Sequence, residues 1–265
     1  MRIGIVVNPH IREAIDLARR ISDRLSQSNE VIFDEKTAGV LGREAGDLSS
    51  ADVVITFGGD GTVLRAHSIA QSATILGVNM GERGFLAEVR KEEVDAALEL
   101  LLRGELKVEE KMRLKTAFGD ERIPEALNDV VIFSAVPGKT STIRVTIDGE
   151  EIFGFRGDGL IVATPTGSTA YTKAAGGPVV FPAVDCMIVT AVCPSTPRVP
   201  SIVVPATSKV TAEVSLPGQP CLLVVDGLER AKVRHGERVD ITVSERKAKF
   251  FRWGDFCRKL REKIL

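Results

Sequence analysis

Cysteine and histidine are scarce in this sequence of 265 residues, and their positions exclude two kinds of stabilising site. The 4 cysteines contain no C-x-x-C pair, and the 3 histidines lie far apart along the chain. Zinc ligation and a disulfide framework are therefore not predicted. We expect reduced thiols that pack as small hydrophobic side chains.

Long apolar runs are also missing. A membrane-spanning helix needs about 18 or more consecutive apolar residues, but the most hydrophobic stretch, Cys186 to Val192, is followed by a proline-rich segment. The apolar run from Met1 to Val7 is too short for the hydrophobic region of a signal peptide. These absences predict a cytoplasmic protein that does not bind membranes.

Neither sign of charge is in excess. The 35 Lys and Arg residues against 36 Asp and Glu residues give a formal net charge of −1, which is not the basic balance of a protein that binds nucleic acid. Hydrophobic residues make up 44% of the chain, so disorder is excluded as its main state. At roughly 150 residues per domain, the length allows one large domain or two modest ones.

The first hundred residues alternate between short apolar runs and segments with helical spacing. This alternation is typical of a parallel sheet covered by helices. We predict an α/β domain over residues 1–104, closed by Gly104. Its predicted strands are Arg2 to Asn8, Asp52 to Phe57 and Thr74 to Val78, and its predicted helices are Ile11 to Leu25, Thr62 to Ala70 and Glu92 to Arg103.

Residues 105–254 are instead typical of a mostly-β domain with sandwich-like packing, and we expect a ligand cleft between the two domains. The last segment, residues 255–265, is predicted to be a basic helix that packs on the first domain. Its Phe256, Leu260 and Ile264 share one face. The predicted strands of the second domain are Lys111 to Phe118, Ala126 to Phe133, Thr142 to Ile147, Cys221 to Val225 and Arg238 to Val243.

The motif GGDGT, at residues 58–62, lies directly after an apolar strand and directly before a predicted helix. Gly58, Gly59 and Gly61 lack Cβ, so their backbone can adopt positive φ and direct N–H groups at phosphate oxygens, next to the positive end of the helix. Thr62 is the predicted N-cap of that helix. The motif therefore predicts a phosphate-donor loop.

Asp60 is unexpected in such a loop, because a carboxylate repels phosphate. It could hold Mg²⁺ between phosphates, accept a hydrogen bond from a sugar hydroxyl, or accept the proton of that hydroxyl during transfer. The alternative is that Asp60 only caps a glycine-rich turn.

Two further segments carry polar residues where apolar ones are expected. The stretch from Thr164 to Tyr171 is rich in hydroxyl groups and is typical of a rim that binds a polar heterocycle, with Tyr171 on its face; the alternative is a loop with a helix start at Ser168 or Thr169. Asn128 and Asp129 interrupt an apolar strand and could contact an amide-like ring edge and ribose hydroxyls. A β-bulge or turn is the alternative for this pair.

Four motifs resemble those of the NAD kinase family in content, order and spacing. The first motif also occurs in diacylglycerol and sphingosine kinases, so a lipid or other small-molecule kinase of the GGDGT type is the alternative, and a non-catalytic protein that senses NAD is a third hypothesis. The hydroxyl-rich segment favours NAD kinase, because a lipid kinase needs an apolar acyl pocket. The motifs are GGDGT at residues 58–62, Asn128-Asp129, GDGLIVATPTGSTAY at residues 157–171 and Gly176-Gly177-Pro178.

The resemblance implies transfer of the terminal phosphoryl group of ATP, or of inorganic polyphosphate in some members, to the 2′-hydroxyl of the adenosine ribose of NAD, which gives NADP. It implies Mg²⁺ or another divalent metal as cofactor, without assigning its ligands. It also implies a homodimer or homotetramer in which a neighbouring subunit completes the nicotinamide end of the site.

The resemblance also implies roles for individual residues. Asp60 contacts the ribose hydroxyls and is the proposed base, and Asn128 contacts the adenine side, Asp129 the nicotinamide ribose and Asp158 the carboxamide. The donor phosphates and metal are served by Gly58, Gly59, Gly61 and Thr62. The remaining NAD contacts are Gly61, Phe85, Thr169, Ala170 and Tyr171 around the adenine and ribose, and Lys139 and Arg156 at the pyrophosphate or a neighbouring subunit.

The chain departs from the family pattern at three positions. Asp129 stands where bacterial members often have Glu, and Ser195 stands where they commonly have His. These two departures suggest an archaeal-type branch. Leu228 replaces a Gln seen in many relatives, which puts a ligand contact from that loop in question.

Overall fold

The computed structural model describes residues 1–81 and 84–263, and the chain divides into two units, each with its own hydrophobic core. Unit 1 comprises Met1–Glu110 and Ala248–Leu265, and unit 2 comprises Lys111–Lys247. Unit 1 is an α/β domain with a parallel sheet, and unit 2 is built from antiparallel sheets. The predicted fold class is confirmed.

The elements follow one another with short connections. Strands β1 to β18 are, in chain order, Arg2–Val7, Glu30–Phe33, Val53–Gly58, Thr74–Asn79, Val89–Arg90, Val108–Lys111, Leu114–Ala117, Asp129–Ser134, Ser141–Ile147, Glu150–Gly157, Gly159–Ala163, Cys186–Val192, Ile202–Pro205, Val210–Ser215, Cys221–Val225, Leu228–Val233, Arg238–Val243 and Ala248–Phe251. Helices α1 to α6 are Arg12–Leu25, Glu35–Leu41, Asp60–Ile69, Val94–Leu102, Tyr171–Ala174 and Phe256–Lys263. Single 3₁₀ turns span Leu48–Ser50, Lys91–Glu93 and Gly167–Thr169.

The sheet of unit 1 has the strand order β2-β1-β3-β4-β18-β6, with β5 also paired to β4. Strand β3 is buried along its whole length, as expected for an inner strand of a parallel sheet with helices on both faces. Helix α1 buries one face at helical spacing, Ala14, Ala18, Ile21 and Leu25. Strand β2 and helix α2 were not predicted, because each is short and α2 contains Gly39.

The boundaries of the units differ from the predicted 104 and 254. Gly104 has φ 71 and ends helix α4, since its N–H donates to the carbonyl of Leu101 (3.0 Å). The chain then continues in the same sheet as β6, and β18 returns to pair with β4. Gly104 therefore ends a helix, and unit 1 continues beyond it.

Unit 2 contains a five-stranded sheet, β10-β9-β14-β17-β7, and a six-stranded sheet, β13-β12-β11-β8-β15-β16. Their inner faces share one core. In β9, Ser141, Ile143 and Val145 are buried and alternate with more exposed residues, which is the pattern of a strand with one face on the core. Strand β11 lies inside its sheet and is buried throughout.

Helix α6 belongs to unit 1. Of the predicted apolar face, Phe256 lies 6.1 Å from the ring of Phe85, Leu260 is half-buried, and Ile264 lies outside the described residues. The buried residue of the helix is Lys259, which the apolar pattern did not predict. In the described part of the chain, no helix is long and apolar enough to cross a membrane.

Candidate functional site

The GGDGT motif joins β3 to α3 within a single residue. Strand β3 ends at Gly58 and α3 begins at Asp60, so Gly59 is the N-cap, with extended backbone angles (φ −102, ψ −169). The expectation of positive φ is wrong for Gly58, Gly59 and Gly61. A Cβ on Gly58 would overlap Thr62 Oγ1, whereas a Cβ on Gly59 or Gly61 would meet no atom within 4 Å.

Thr62 is not the N-cap. It is the third residue of α3, it is buried, and its N–H donates to the carbonyl of Gly59 (2.9 Å). The helix begins earlier than predicted because Asp60 and Gly61 already have helical conformation. Thr62 therefore packs against Gly58 and stabilises the turn.

Asp60 is half-buried, and its carboxylate is bound by the backbone of residues 85–87. Oδ2 accepts a hydrogen bond from the N–H of Phe85 (2.8 Å), and Oδ1 accepts from Leu86 and Ala87 (3.0 Å each). A Cβ on Gly84 would overlap Oδ1. A carboxylate has about four acceptor positions, so the described residues 1–81 and 84–263 leave one position, on Oδ2, unused.

Asn79 makes two further hydrogen bonds to the segment between β4 and β5. It is buried at the end of β4, and its Oδ1 accepts from the N–H of Gly81 (2.9 Å). Its amide nitrogen donates to the carbonyl of Ala87 (3.5 Å). Asn79 was not predicted as a site residue, because an asparagine after an apolar strand is also an ordinary turn residue.

In unit 2, Asn128 and Asp129 do not interrupt a strand, because β8 begins at Asp129. Both are buried. Their N–H groups and that of Leu127 donate to the carboxylate of Asp226, at 2.7, 3.2 and 2.8 Å respectively. Asp226 has φ 49 and lies in a tight turn with Gly227, between β15 and β16. The Asp-Gly pair could have indicated the turn, but not the partner of its carboxylate.

Two buried carboxyl groups thus lie close together. Burial raises the pKa of Asp129 to about 7, and the charge of Asp226 adds to the effect. Burial also raises the pKa of Asp226, but the three backbone N–H donors oppose this rise. The backbone donors stabilise the carboxylate form of Asp226, whereas burial and the neighbouring charge favour the protonated form of Asp129.

The hydroxyl-rich segment packs on the backbone of Asn128. The carbonyl of Asn128 accepts from the N–H of Thr164 (2.9 Å), and a Cβ on Gly167 would overlap that carbonyl. Thr164 donates its hydroxyl to Leu127 O (2.6 Å), and Ser168 donates to Pro165 O (2.6 Å). These two predicted ligand groups are buried and used internally. Thr169 and Ala170 are half-buried, and Tyr171 is 38% exposed at the start of α5.

The predicted NAD-contacting residues of unit 2 lie at opposite ends of two paired strands. Asp129 pairs with Ala163 at one end, while the carbonyl of Asp158 accepts from the N–H of Ser134 at the other (2.8 Å). Five residues of extended chain separate the ends by about 17 Å.

Burial is the main cause that raises the pKa of Tyr171, followed by the charges of Cys193, Asp158 and Asp129.

Arg156 and Lys139 are exposed near the Asp158 end. The Arg156 side chain donates from Nε to Thr140 Oγ1 (2.7 Å), and Lys139 belongs to a turn in which its N–H donates to Val136 O (3.1 Å). The structure therefore brings Arg156 next to the residue that follows Lys139. Both are available cations on the surface of unit 2.

Comparisons with known proteins agree along the whole chain. The family models described as the ATP-NAD kinase N-terminal and C-terminal domains match residues 3–106 and 127–253. A curated NAD kinase of Methanothermobacter thermautotrophicus is 39% identical, with 100% of this chain and 96% of that protein covered. The NAD kinase of Thermoplasma volcanium is 35% identical, with 100% and 98% covered.

Two solved structures are also similar to this chain. An NAD kinase from Archaeoglobus fulgidus in complex with ATP is 28% identical, with a TM-score of 0.82 and with 100% of this chain and 98% of that chain covered. Yeast NADH kinase complexed with NADH has a TM-score of 0.89 at 22% identity, with 100% and 87% covered, and this similarity concerns the fold.

Proposed function

This chain belongs to the NAD kinase family, and we propose that Asp60 is the residue on which its reaction depends. The activity is the transfer of the terminal phosphoryl group of ATP to the 2′-hydroxyl of the adenosine ribose of NAD, a phosphotransfer to an alcohol acceptor that gives NADP. One observation supports the role of Asp60. Its carboxylate is held by three backbone donors and keeps one acceptor position on Oδ2.

That remaining position suits a ribose hydroxyl. A hydroxyl that donates to Oδ2 is oriented for attack, and Oδ2 can accept its proton as the bond to phosphorus forms. The three N–H donors fix the carboxylate in one orientation, so little reorganisation is needed when the hydroxyl reacts.

The donor phosphates bind at the start of α3. Gly59 and Gly61 have no neighbouring atoms where a side chain would be, and the helix has ten residues whose first N–H groups favour an anion. Gly58 and Thr62, in contrast, are packed against each other and act by keeping the loop tight. The phosphate contacts are therefore made by the backbone around Gly59 and Gly61.

Several residues of unit 2 contact the NAD acceptor. Asn128 and Asp129 contact the adenine side and the nicotinamide ribose, where a protonated Asp129 donates as well as accepts. Asp158 contacts the carboxamide. Thr169, Ala170 and Tyr171 line the adenine and its ribose, and Arg156 and Lys139 are cations for the pyrophosphate or a neighbouring subunit.

The donor set fits a metal that is held mainly by phosphates. Mg²⁺ is commonly bound through one or two carboxylates together with substrate phosphates and waters. Among residues 1–81 and 84–263, no group of three or more His, Cys, Asp or Glu side chains could hold a metal ion. Asp60 has a single position to offer. When bound, Mg²⁺ neutralises the charge of the transferred phosphoryl group.

A homo-oligomer is supported by exposed apolar side chains on the outermost strands of unit 2. Ile152 lies on β10, Val203 on β13 and Leu228 on β16. An edge strand with apolar side chains is a surface that another chain can cover. Light scattering should give the mass of a dimer or tetramer, and a fully active monomer would contradict the proposal.

The substitution Asp60→Asn tests the proposed role. It removes the negative charge and the proton acceptor while keeping the size of the side chain. We expect kcat for NADP formation to fall by about 10²-fold or more, because general-base assistance contributes about 10² to 10⁴, while NAD still binds. The rate is measured at saturating NAD, ATP and Mg²⁺, and NAD affinity by calorimetry.

The matched control is Asp16→Asn, which changes an exposed carboxylate on α1 and should leave the rate unchanged. Thermal melting checks that both variants fold. If Asp60→Asn kept nearly full activity with the chemical step limiting, Asp60 would only organise the turn, and the proposed role would be wrong.

A further inference from the structure

Lys259 is a buried cation in an otherwise polar, surface-lying helix. Its exposure is 7%, although its neighbours Arg258 and Arg261 on α6 are exposed. An ammonium group is costly to bury unless it is paired and hydrogen-bonded. Lys259 Nζ pairs with Glu88 Oε1 and donates to the carbonyl of Phe85 (3.0 Å).

Glu88 is bound on both of its oxygens. Oε2 accepts from the N–H groups of Gly254 (2.6 Å) and Trp253 (2.9 Å), while Oε1 faces Lys259. Burial alone would raise the pKa of Glu88, but the Lys259 ammonium and the two backbone donors together lower it. The pair and the two backbone hydrogen bonds therefore fix α6 to the segment that follows residue 84.

The carbonyl that Lys259 binds belongs to the peptide group between Phe85 and Leu86. The N–H of that same peptide group donates to Asp60 Oδ1 (3.0 Å). One rigid peptide plane thus has a cation at its oxygen and an anion at its N–H. Each charge polarises the group in favour of the other, and the plane cannot rotate without losing both contacts.

Helix α6 also holds the side chain of Phe85. The ring of Phe256 lies 6.1 Å from the ring of Phe85, and Lys263 Nζ lies 5.7 Å from the centre of the Phe85 ring. Backbone and side chain of Phe85 are therefore both oriented by the same helix. A cavity of about 370 Å³ next to the ion pair, lined in part by Gly84, Glu88, Trp253 and Lys259, leaves room for a larger cationic head group at position 259.

We propose that Lys259 is a positioning residue for the phosphoryl transfer: through the Phe85–Leu86 peptide group it holds Asp60 in its reactive orientation. This inference rests on the proposed role of Asp60. It assigns to α6 a function in turnover in addition to its packing in unit 1.

A double-mutant cycle between positions 259 and 60 tests it. Lys259→Met should lower kcat by about 10-fold to 100-fold, the size expected for a misplaced reacting group, with a smaller change in KM for ATP. Lys259→Arg should recover most of the rate. In the Asp60→Asn background, Lys259→Met should have almost no further effect, because the group it positions is already gone.

The control is Arg258→Ala, which removes an exposed ion pair with Glu262 on the same helix and should leave kcat unchanged. Thermal melting and circular dichroism establish that each variant folds. If Lys259→Met does not fold, Lys259→Gln serves the same cycle, since it removes the cation that binds the Phe85 carbonyl while leaving a polar side chain beside Glu88.

Three outcomes would overturn the inference: an unchanged kcat in a folded Lys259→Met variant, an equal loss in the wild-type and Asp60→Asn backgrounds, or no recovery by arginine. An active Asp60→Asn enzyme would instead show that the proposed role of Asp60 is wrong. The two failures are therefore distinguishable in one set of measurements.

Discussion

Two carboxylates in this molecule are held in the same way, one in each unit, yet their surroundings differ. Asp60 accepts from the N–H groups of residues 85–87, and Asp226 from those of residues 127–129. Asp60 is half-buried beside glycines with open space, whereas Asp226 is buried next to another carboxyl group. Three backbone N–H donors thus leave the Asp60 carboxylate accessible in unit 1, whereas three others fix the Asp226 carboxylate inside the fold of unit 2.

The comparison predicts its largest effect on stability at position 226. Asp226→Ala leaves three buried N–H groups without their acceptor, and we expect it to lower the free energy of unfolding by about 3–5 kcal/mol. Urea denaturation measures the loss. The matched control is Asp148→Ala, since Asp148 is also followed by glycine and has nearly the same backbone angle, φ 51 against 49.

Asp148 is exposed and binds a single N–H, that of Lys209. Its substitution should therefore cost about 1 kcal/mol or less. Equal losses at the two positions would mean that the backbone angle, and not the hydrogen bonds, determines the effect.

The second prediction separates Asp60 from its backbone donors without changing Asp60 itself. In Gly84→Ala the new Cβ overlaps Asp60 Oδ1, so the carboxylate or the segment must move, and kcat should fall about 10-fold to 100-fold. The control is Gly81→Ala in the same connection, where a Cβ meets no atom within 4 Å. A Gly84→Ala enzyme with normal kcat would show that the orientation of Asp60 is unimportant.

The third prediction concerns pH and belongs to unit 2. The pKa of Asp129 is raised to about 7 in the folded state, against about 3.9 in an unfolded chain. The folded state therefore binds the proton more tightly, and the stability this contributes is present below pH 4 and is lost as the pH rises through 7. The slope should not exceed about 1.4 kcal/mol per pH unit.

Asp129→Asn should flatten this dependence, which urea titrations at several pH values can measure. The control is Asp120→Asn, at an exposed position of unit 2, which should keep the wild-type slope. A slope that survives in Asp129→Asn would place the bound proton on Asp226.

Local pattern was sufficient for some of the regular elements, and it identified the residues of the motifs. Strands β15 and β17 have the predicted bounds, because alternating or continuous apolar residues between turns determine them locally. The candidate site residues were identified from motif resemblance and local chemistry. Their roles remain predictions.

Contacts between distant parts of the chain could not be predicted in this way. The carboxylate of Asp226 binds N–H groups 97 to 99 residues earlier, and Lys259 binds Phe85 across 174 residues. The N-cap predicted at Thr62 and the domain end predicted at Gly104 differ from the structure for a related reason. A capping threonine and a closing glycine are local features, but the start of α3 and the extent of the sheet depend on tertiary packing.

The chain passes from unit 1 into unit 2 and then back into unit 1, and this determines the order in which the two units can fold during translation. Unit 2 is one continuous segment, Lys111–Lys247, and can fold as soon as it has emerged. Unit 1 must wait, because β18 and α6 are translated after all of unit 2, and until then Thr74 and Ile75 of β4 lack the strand that pairs with them. Translation that stops before residue 248 would release unit 2 intact and leave Asp60 without the support of Lys259. Synthesis of unit 2 is therefore complete before the last strand and helix of unit 1 are made.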